Sequence, residues 1–194
     1  MEPPSEKLPF TFHHVSVQVA HHTRWVSLPD ATEVENYYAR KEKEERLMGF
    51  WTKIWGASLA MSEYLLTYPE LTRQKNILEV AAGLALPSLF AAPWAAKITA
   101  SDYAPMALDN ILQSARLNNI KNMEVRHWDI TTMPMPVESD IMLISDANYD
   151  ARLHEFLHAL VMEQLQKGKE VVLSTPNRIS GMGFLERFMD YCTH

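Results

Sequence analysis

From residue 76 onward, apolar runs of strand length alternate with longer stretches of helical periodicity, and this alternation limits the possible folds more than any other feature of the chain. Ile77-Leu78-Glu79-Val80-Ala81-Ala82 precedes an alanine-rich helical stretch at 84–96. Ile98-Thr99-Ala100-Ser101 precedes a helix at 105–118, with Met106, Leu108, Ile111, Leu112 and Leu117 on its apolar face. Met123-Glu124-Val125-Arg126 and Ile141-Met142-Leu143-Ile144 read as a third and fourth strand. A helix over 150–167 stops at Gly168, a natural residue just past a C-terminus, and Glu170-Val171-Val172-Leu173-Ser174 is a fifth strand. Strand and helix alternating in this way imply right-handed crossovers and a mostly parallel sheet, so the fold class is α/β. No repeat, linker or low-complexity segment interrupts the pattern.

The N-terminal part has a different texture. Phe10–Phe12 and Val15–Val19 alternate apolar and polar residues, and Arg24–Leu28 supplies a partner strand, which predicts a hairpin. The pairs His13-His14 and His21-His22 flank it and read as surface residues of that hairpin. Asp30-Ala31-Thr32-Glu33 resembles a helix-starting box, and the mixed-sign run Lys41–Arg46 reads as a solvated helix face. A second helix is expected over 56–68, with Leu59, Met61, Leu65 and Leu66 as its apolar positions.

Composition narrows the function classes. With 194 residues, 47% hydrophobic and 22% charged, the chain fits one domain with one sizeable core. A net charge of −6 without a basic patch argues against tight binding to nucleic acid. There is no apolar run of the roughly 18 residues that a membrane span needs. Met1–Lys7 lacks the features of a secretory signal, and the single cysteine, Cys192, suits a reducing compartment; both lead to the expectation of a cytoplasmic protein.

Two local motifs suggest chemistry. His154-Glu155-Phe156-Leu157-His158 satisfies the HExxH pattern, which on a helix can place two histidines on zinc. A third ligand is missing nearby, however, and Phe156, Leu157, Leu160 and Val161 predict a helix packed on the sheet, so the expectation is no metal. At the first strand-to-helix turn, Glu79-Val80-Ala81-Ala82-Gly83-Leu84-Ala85 keeps one glycine where a dinucleotide fold needs three, and makes a poor pyrophosphate cradle. An acid at the start of this turn suits a positively charged ligand instead.

Taken together, these residues resemble a known class. Glu79-x-Ala81-x-Gly83-x-Ala85 is similar to the E/D-x-G-x-G-x-G turn of class I S-adenosylmethionine-dependent methyltransferases, and Asp102 follows 23 residues later at the end of the second strand. Ile54-Trp55-Gly56-Ala57-Ser58 and Ser145-Asp146-Ala147-Asn148-Tyr149 resemble, respectively, the tryptophan segment and the D-x-x-Y motif of the seven-β-strand protein-lysine methyltransferases. The resemblance covers about residues 50–180. It implies a Rossmann-like sheet of order 3-2-1-4-5, with residues 1–50 as a hairpin and helix extension and 51–194 as the cofactor-binding domain, the two forming one structural unit.

Carried over residue by residue, the resemblance implies a site for S-adenosylmethionine formed by Trp55, Glu79, Gly83, Leu84, Ala85, Asp102, Trp128 and Ser145. In it Asp102 holds the ribose and Trp128 lies near the adenine. Asp146 and Tyr149 would face the incoming amine as the catalytic pair. The implied activity is N-methylation of a lysine on a protein substrate. A small-molecule N- or O-methyltransferase and a non-catalytic binding module on the same scaffold are the other readings. Ala81 and Ala85 stand where the class has glycine, so an alanine methyl is strained at either position if its φ is positive. The strand pair that usually closes such a sheet is also missing after Ser174. Glu170–Ser174 is therefore expected either to pair with another copy of the chain or to be covered by residues 181–192.

Overall fold

Residues 10–40, 47–132, 134–135, 137–176 and 179–192 are described by the structure, a computed structural model; the charged run Lys41–Arg46 lies outside them. The expected hairpin is present as Phe12–Val19 (β1) and His22–Pro29 (β2), paired antiparallel with Val15 opposite Val26. Val17, Val19 and Val26 point inward, as alternation requires. Asp30 caps Ala31–Ala39 (α1) by accepting from the Glu33 N–H at 3.0 Å. Glu33 does not complete a reciprocal box, because its carboxylate bonds Thr11 instead.

The outer edge of β2 is finished by side chains and not by another strand. Helix α4 (Pro105–Leu117) and its capping residue carry Asn110, Ser114 and Asn118 four residues apart, in one row along the strand. Ser114 Oγ accepts from the Ser27 N–H at 3.0 Å, and Asn110 Nδ2 donates to the Ser27 carbonyl at 3.0 Å. Asn118 accepts from the Trp25 N–H at 2.9 Å and donates to the Trp25 carbonyl at 2.6 Å. The hairpin core continues into the rest of the molecule through Trp51, Leu89, Phe90 and Ala107.

The main sheet has five parallel strands: Asn76–Val80 (β3), Lys97–Asp102 (β4), Met123–His127 (β5), Ile141–Ser145 (β6) and Glu170–Ser174 (β7). Their order is β5-β4-β3-β6-β7, which is the expected 3-2-1-4-5. On one face Ile77, Ile98, Ile141 and Leu143 bury Met61 and Leu65 of Gly56–Thr67 (α2). On the other, Leu78, Val80, Met142 and Ile144 bury Leu157, Leu160 and Val161 of His154–Gln166 (α5). Burial on both faces explains the nearly unbroken apolar runs of β3 and β6. Among the described residues no helix is long and apolar enough to cross a membrane.

Two helical expectations are corrected. The stretch 84–96 is helical only over Leu86–Ala91 (α3): Pro93 lacks the N–H that would continue the ladder, although Ala92 before it keeps helical angles (φ −50, ψ −37). The segment 150–167 enters α5 through two short 3₁₀ turns, Ala147–Tyr149 and Ala151–Leu153. At the C-terminus the helix is Ile179–Glu186 (α6), followed by a 3₁₀ turn at Met189–Tyr191. Phe184 and Phe188 join the α5-side cluster against which Val171 and Leu173 pack. They therefore cover the face of β7 and not its edge, since a helix has no free backbone row to offer a strand.

The side-chain row on α4 gives an expected outcome. Ser114→Ala leaves the fully buried Ser27 N–H without its acceptor, at a cost of about 1–3 kcal/mol, which urea unfolding measures directly.

Candidate active site

In a doubly wound sheet the natural crevice lies at the C-terminal strand ends, where the crossovers diverge. Here that point is between β3 and β6, and a cavity of about 520 Å³ opens there. The turn that leaves β3 alternates into the left-handed region three times, at Ala81 (φ 50), Gly83 (φ 56) and Ala85 (φ 54). Both alanines thus adopt the conformation that glycine takes without strain, at a cost of roughly 1–2 kcal/mol per residue. Ala81, Gly83 and Leu84 line the cavity.

Two of the expected turn residues stand behind that wall. Ala85 is fully buried against Ala100 and Ile111. Glu79 is 1% exposed and shares a strand face with Ile77, so it points away from the cavity and accepts from the Ser88 N–H at the start of α3 (3.0 Å). Burial pushes its carboxyl up to about 7, with the nearby Asp102 acting in the same direction. Glu79 braces the turn and does not line the cavity, contrary to the expectation that it meets a cationic ligand.

Asp102 does line the cavity, at the end of β4. Its Oδ2 accepts from the Gly83 N–H and its Oδ1 from the Ala104 N–H, both at 2.8 Å. Burial raises its pKa, while these backbone donors oppose the rise. Each oxygen keeps lone-pair capacity for a further donor. Trp128, 4% exposed, borders the same space, and its N–H donates to the Asp102 carbonyl at 3.0 Å. Ser145 lines it from the end of β6.

Asp146 and Tyr149 complete the wall. Asp146 also sits in the left-handed region (φ 53), with its N–H bonded to the Ser174 carbonyl at 2.8 Å. The Tyr149 hydroxyl is pushed up to about 12 by burial and by the negative charges of Asp102, Asp150 and Asp146. It is therefore a neutral hydrogen-bonding group at any physiological pH. Trp55 lines the cavity and donates from its indole to the Phe50 carbonyl at 3.0 Å. Phe50, absent from the expected set, stands edge-on to both Trp55 and Tyr149, with ring centroids 6.0 and 5.4 Å away. Nothing in the sequence marked Phe50, because a lone phenylalanine in an irregular segment carries no periodic signal.

The HExxH residues do a different job. The His154 ring packs on Phe184 and the His158 ring on Phe188, at 5.0 and 5.3 Å between centroids. Between them Glu155 forms a bidentate pair with Arg187 (2.9 and 3.1 Å). The motif docks the C-terminal helix, and among the described residues no three His, Cys, Asp or Glu groups converge to hold a metal ion.

This fold and this set of side chains at its switch point define a Rossmann-like methyltransferase domain. The solved structure of the T. thermophilus 16S rRNA N2 G1207 methyltransferase, in complex with AdoMet and guanosine, matches with a TM-score of 0.63 over 96% of this chain and 48% of that one. At 15% identity it supports the fold alone. The lysine methyltransferase family model matches residues 39–190, and the chain belongs to that family. It is 30% identical over 125 residues to the histone-arginine methyltransferase METTL23 of Rattus norvegicus, covering 61% of this chain and 55% of that protein. With the electron transfer flavoprotein beta subunit lysine methyltransferase of Mus musculus the identity is 28% over 131 residues, covering 66% and 51%. The chain spans about half the length of the curated relatives it matches.

Two outcomes are expected from the turn. Because the Glu79 carboxyl titrates near 7 in the folded chain and near 4.5 when exposed, the folded state holds the extra proton between those values. Stability therefore falls as pH rises through that window, by up to about 3 kcal/mol, and Glu79→Gln flattens the slope in pH-dependent thermal melts. Ala81→Gly, at an exposed left-handed position, should raise stability by about 0.5–1 kcal/mol in denaturant unfolding.

Proposed function

We propose that this chain transfers a methyl group from S-adenosylmethionine to a protein side-chain nitrogen, with a lysine amine as the acceptor. The observation that carries this reading is that one cavity gathers two sets of residues: Asp102, the turn 81–84 and Trp128, and with them Asp146 and Tyr149. Membership of the lysine methyltransferase family supports the lysine acceptor, and the relatives named for histone arginine and for an electron-transfer flavoprotein subunit support a protein substrate.

The residues present fit the cofactor. Asp102 has free acceptor capacity for a diol in a site from which water is largely removed, where such a bond is strong. The turn offers bare backbone at Gly83, and buried Trp128 supplies flat apolar surface for a base. The left-handed shape of the turn persists despite Ala81 and Ala85, which favours a working site over a scaffold that has lost its ligand. When bound, S-adenosylmethionine supplies an activated methyl group on a sulfonium sulfur.

The chain's own residues then set geometry and protonation at the acceptor. A lysine amine, with a reference pKa of about 10.4, arrives as ammonium and must lose a proton before it can attack. The Asp146 carboxylate favours the charged amine, so it docks the acceptor and does not deprotonate it; the proton leaves to water at the cavity mouth. The Tyr149 hydroxyl stays protonated and orients the nitrogen. Phe50, Trp55 and Tyr149 give the acceptor's alkyl stem and cationic head an aromatic wall, where cation–π attraction adds to the hold.

Calorimetry with S-adenosylmethionine and its demethylated product, followed by labelled-methyl transfer to protein and to small metabolites, tests the reading. Binding of both ligands and labelling of protein are expected. Asp146→Asn and Tyr149→Phe should keep cofactor affinity while transfer falls roughly 10²-fold. Absence of binding to either ligand would refute the proposal. Asp102 is a poorer probe, since its substitution also frees the Gly83 and Ala104 N–H groups.

A further inference from the structure

The Asp146–Tyr149 segment has little intrinsic reason to hold its shape. Asp146 is left-handed, the 3₁₀ turn that follows is three residues long, and Asn148 departs from helical angles (φ −92, ψ 21). Its order comes from outside. Asn148 is 2% exposed and is held at two points: its main-chain carbonyl accepts from His154 Nε2 at 3.0 Å, and its Oδ1 accepts from Thr175 Oγ1 at 2.7 Å. Thr175 directly follows the residue whose carbonyl takes the Asp146 N–H, and Ser174 is itself tied to the Ala57 carbonyl of α2 at 3.0 Å. Neither His154 nor Thr175 lines the cavity.

We infer that His154 and Thr175 are positioning residues that fix the acceptor side of the site through Asn148. A carbonyl only accepts, so the His154 ring must carry its hydrogen on Nε2, and the ring face is left for Phe184 of α6. The first half of the HExxH motif thus links two things: the C-terminal helix on one side and the backbone between Asp146 and Tyr149 on the other. The Arg187–Glu155 pair and the His158–Phe188 contact keep that helix seated, so the ring cannot swing away from Asn148 without displacing α6. The kinetic part of this inference rests on the methyl-transfer reading; the structural part does not.

Hydrogen exchange on the full chain and steady-state methyl transfer test it together. His154→Ala and Thr175→Val should speed amide exchange across residues 146–150 by about tenfold or more, while exchange in 76–80 and 97–102 stays at the wild-type rate. In the same variants kcat should drop roughly tenfold, with the KM for S-adenosylmethionine unchanged. His154→Gln, whose amide N–H can reach the same carbonyl, and Thr175→Ser should restore both readouts. Wild-type exchange at 146–150 in His154→Ala, or failure of His154→Gln to restore it, would overturn the inference. If the wild-type chain transfers no methyl group, the functional reading falls, and the exchange measurement still decides the positioning role.

Discussion

The Asp102 carboxylate is the joint on which the site is built. β3 and β4 are adjacent parallel strands, and the chain departing from β3 is tied to β4 first by the Ala82 N–H, which donates to the Ser101 carbonyl at 2.9 Å, and then by the Asp102 carboxylate. One oxygen takes the Gly83 N–H, which fixes the middle of the turn, and the other takes the Ala104 N–H, which fixes the entry to α4. The turn can therefore be held in a conformation that its alanines disfavour. Ala81, Ala85 and Asp146 are all left-handed non-glycine residues near one cavity, a concentration that backbone energetics allows only where surrounding bonds over-determine the path.

Much of this was legible in the sequence. The apolar runs at 77–80 and 141–144 predicted strands, and their alternation with helical periods predicted a mostly parallel sheet. Asp102, Ser145, Asp146 and Tyr149, which the family resemblance implied, line one cavity at the ends of β4 and β6 and in the turn that follows β6. What was missed depends on contacts between segments far apart in the chain. The orientation of Glu79 follows from the pleat, which puts it on the face of Ile77, and from an N–H nine residues later. The HExxH pattern is blind to whether its histidines meet a metal or a ring. The rings that these histidines pack against belong to Phe184 and Phe188, about 30 residues on, at interplanar angles of 40° and 30°. Likewise, the apolar periodicity of 105–118 says nothing of Asn110, Ser114 and Asn118, whose partners on β2 lie more than 80 residues away in the chain.

A further consequence lies in how β2 rests on α4. Four helix residues advance about 6.0 Å and two strand residues about 6.8 Å, so a row of side chains and a row of backbone groups drift apart by nearly an ångström per step. The match is close enough to serve Ser27 and then Trp25, and by the next step helix α4 has ended, with Asn122 turned to the Ala92 and Ala95 carbonyls instead. The two elements thus work like a vernier scale, coinciding over a short window and nowhere else. A hairpin slid by one residue would bring to the helix residues whose N–H and C=O groups point to β1 instead. The window therefore fixes where along the helix the N-terminal hairpin must stop, without any residue of the main sheet taking part.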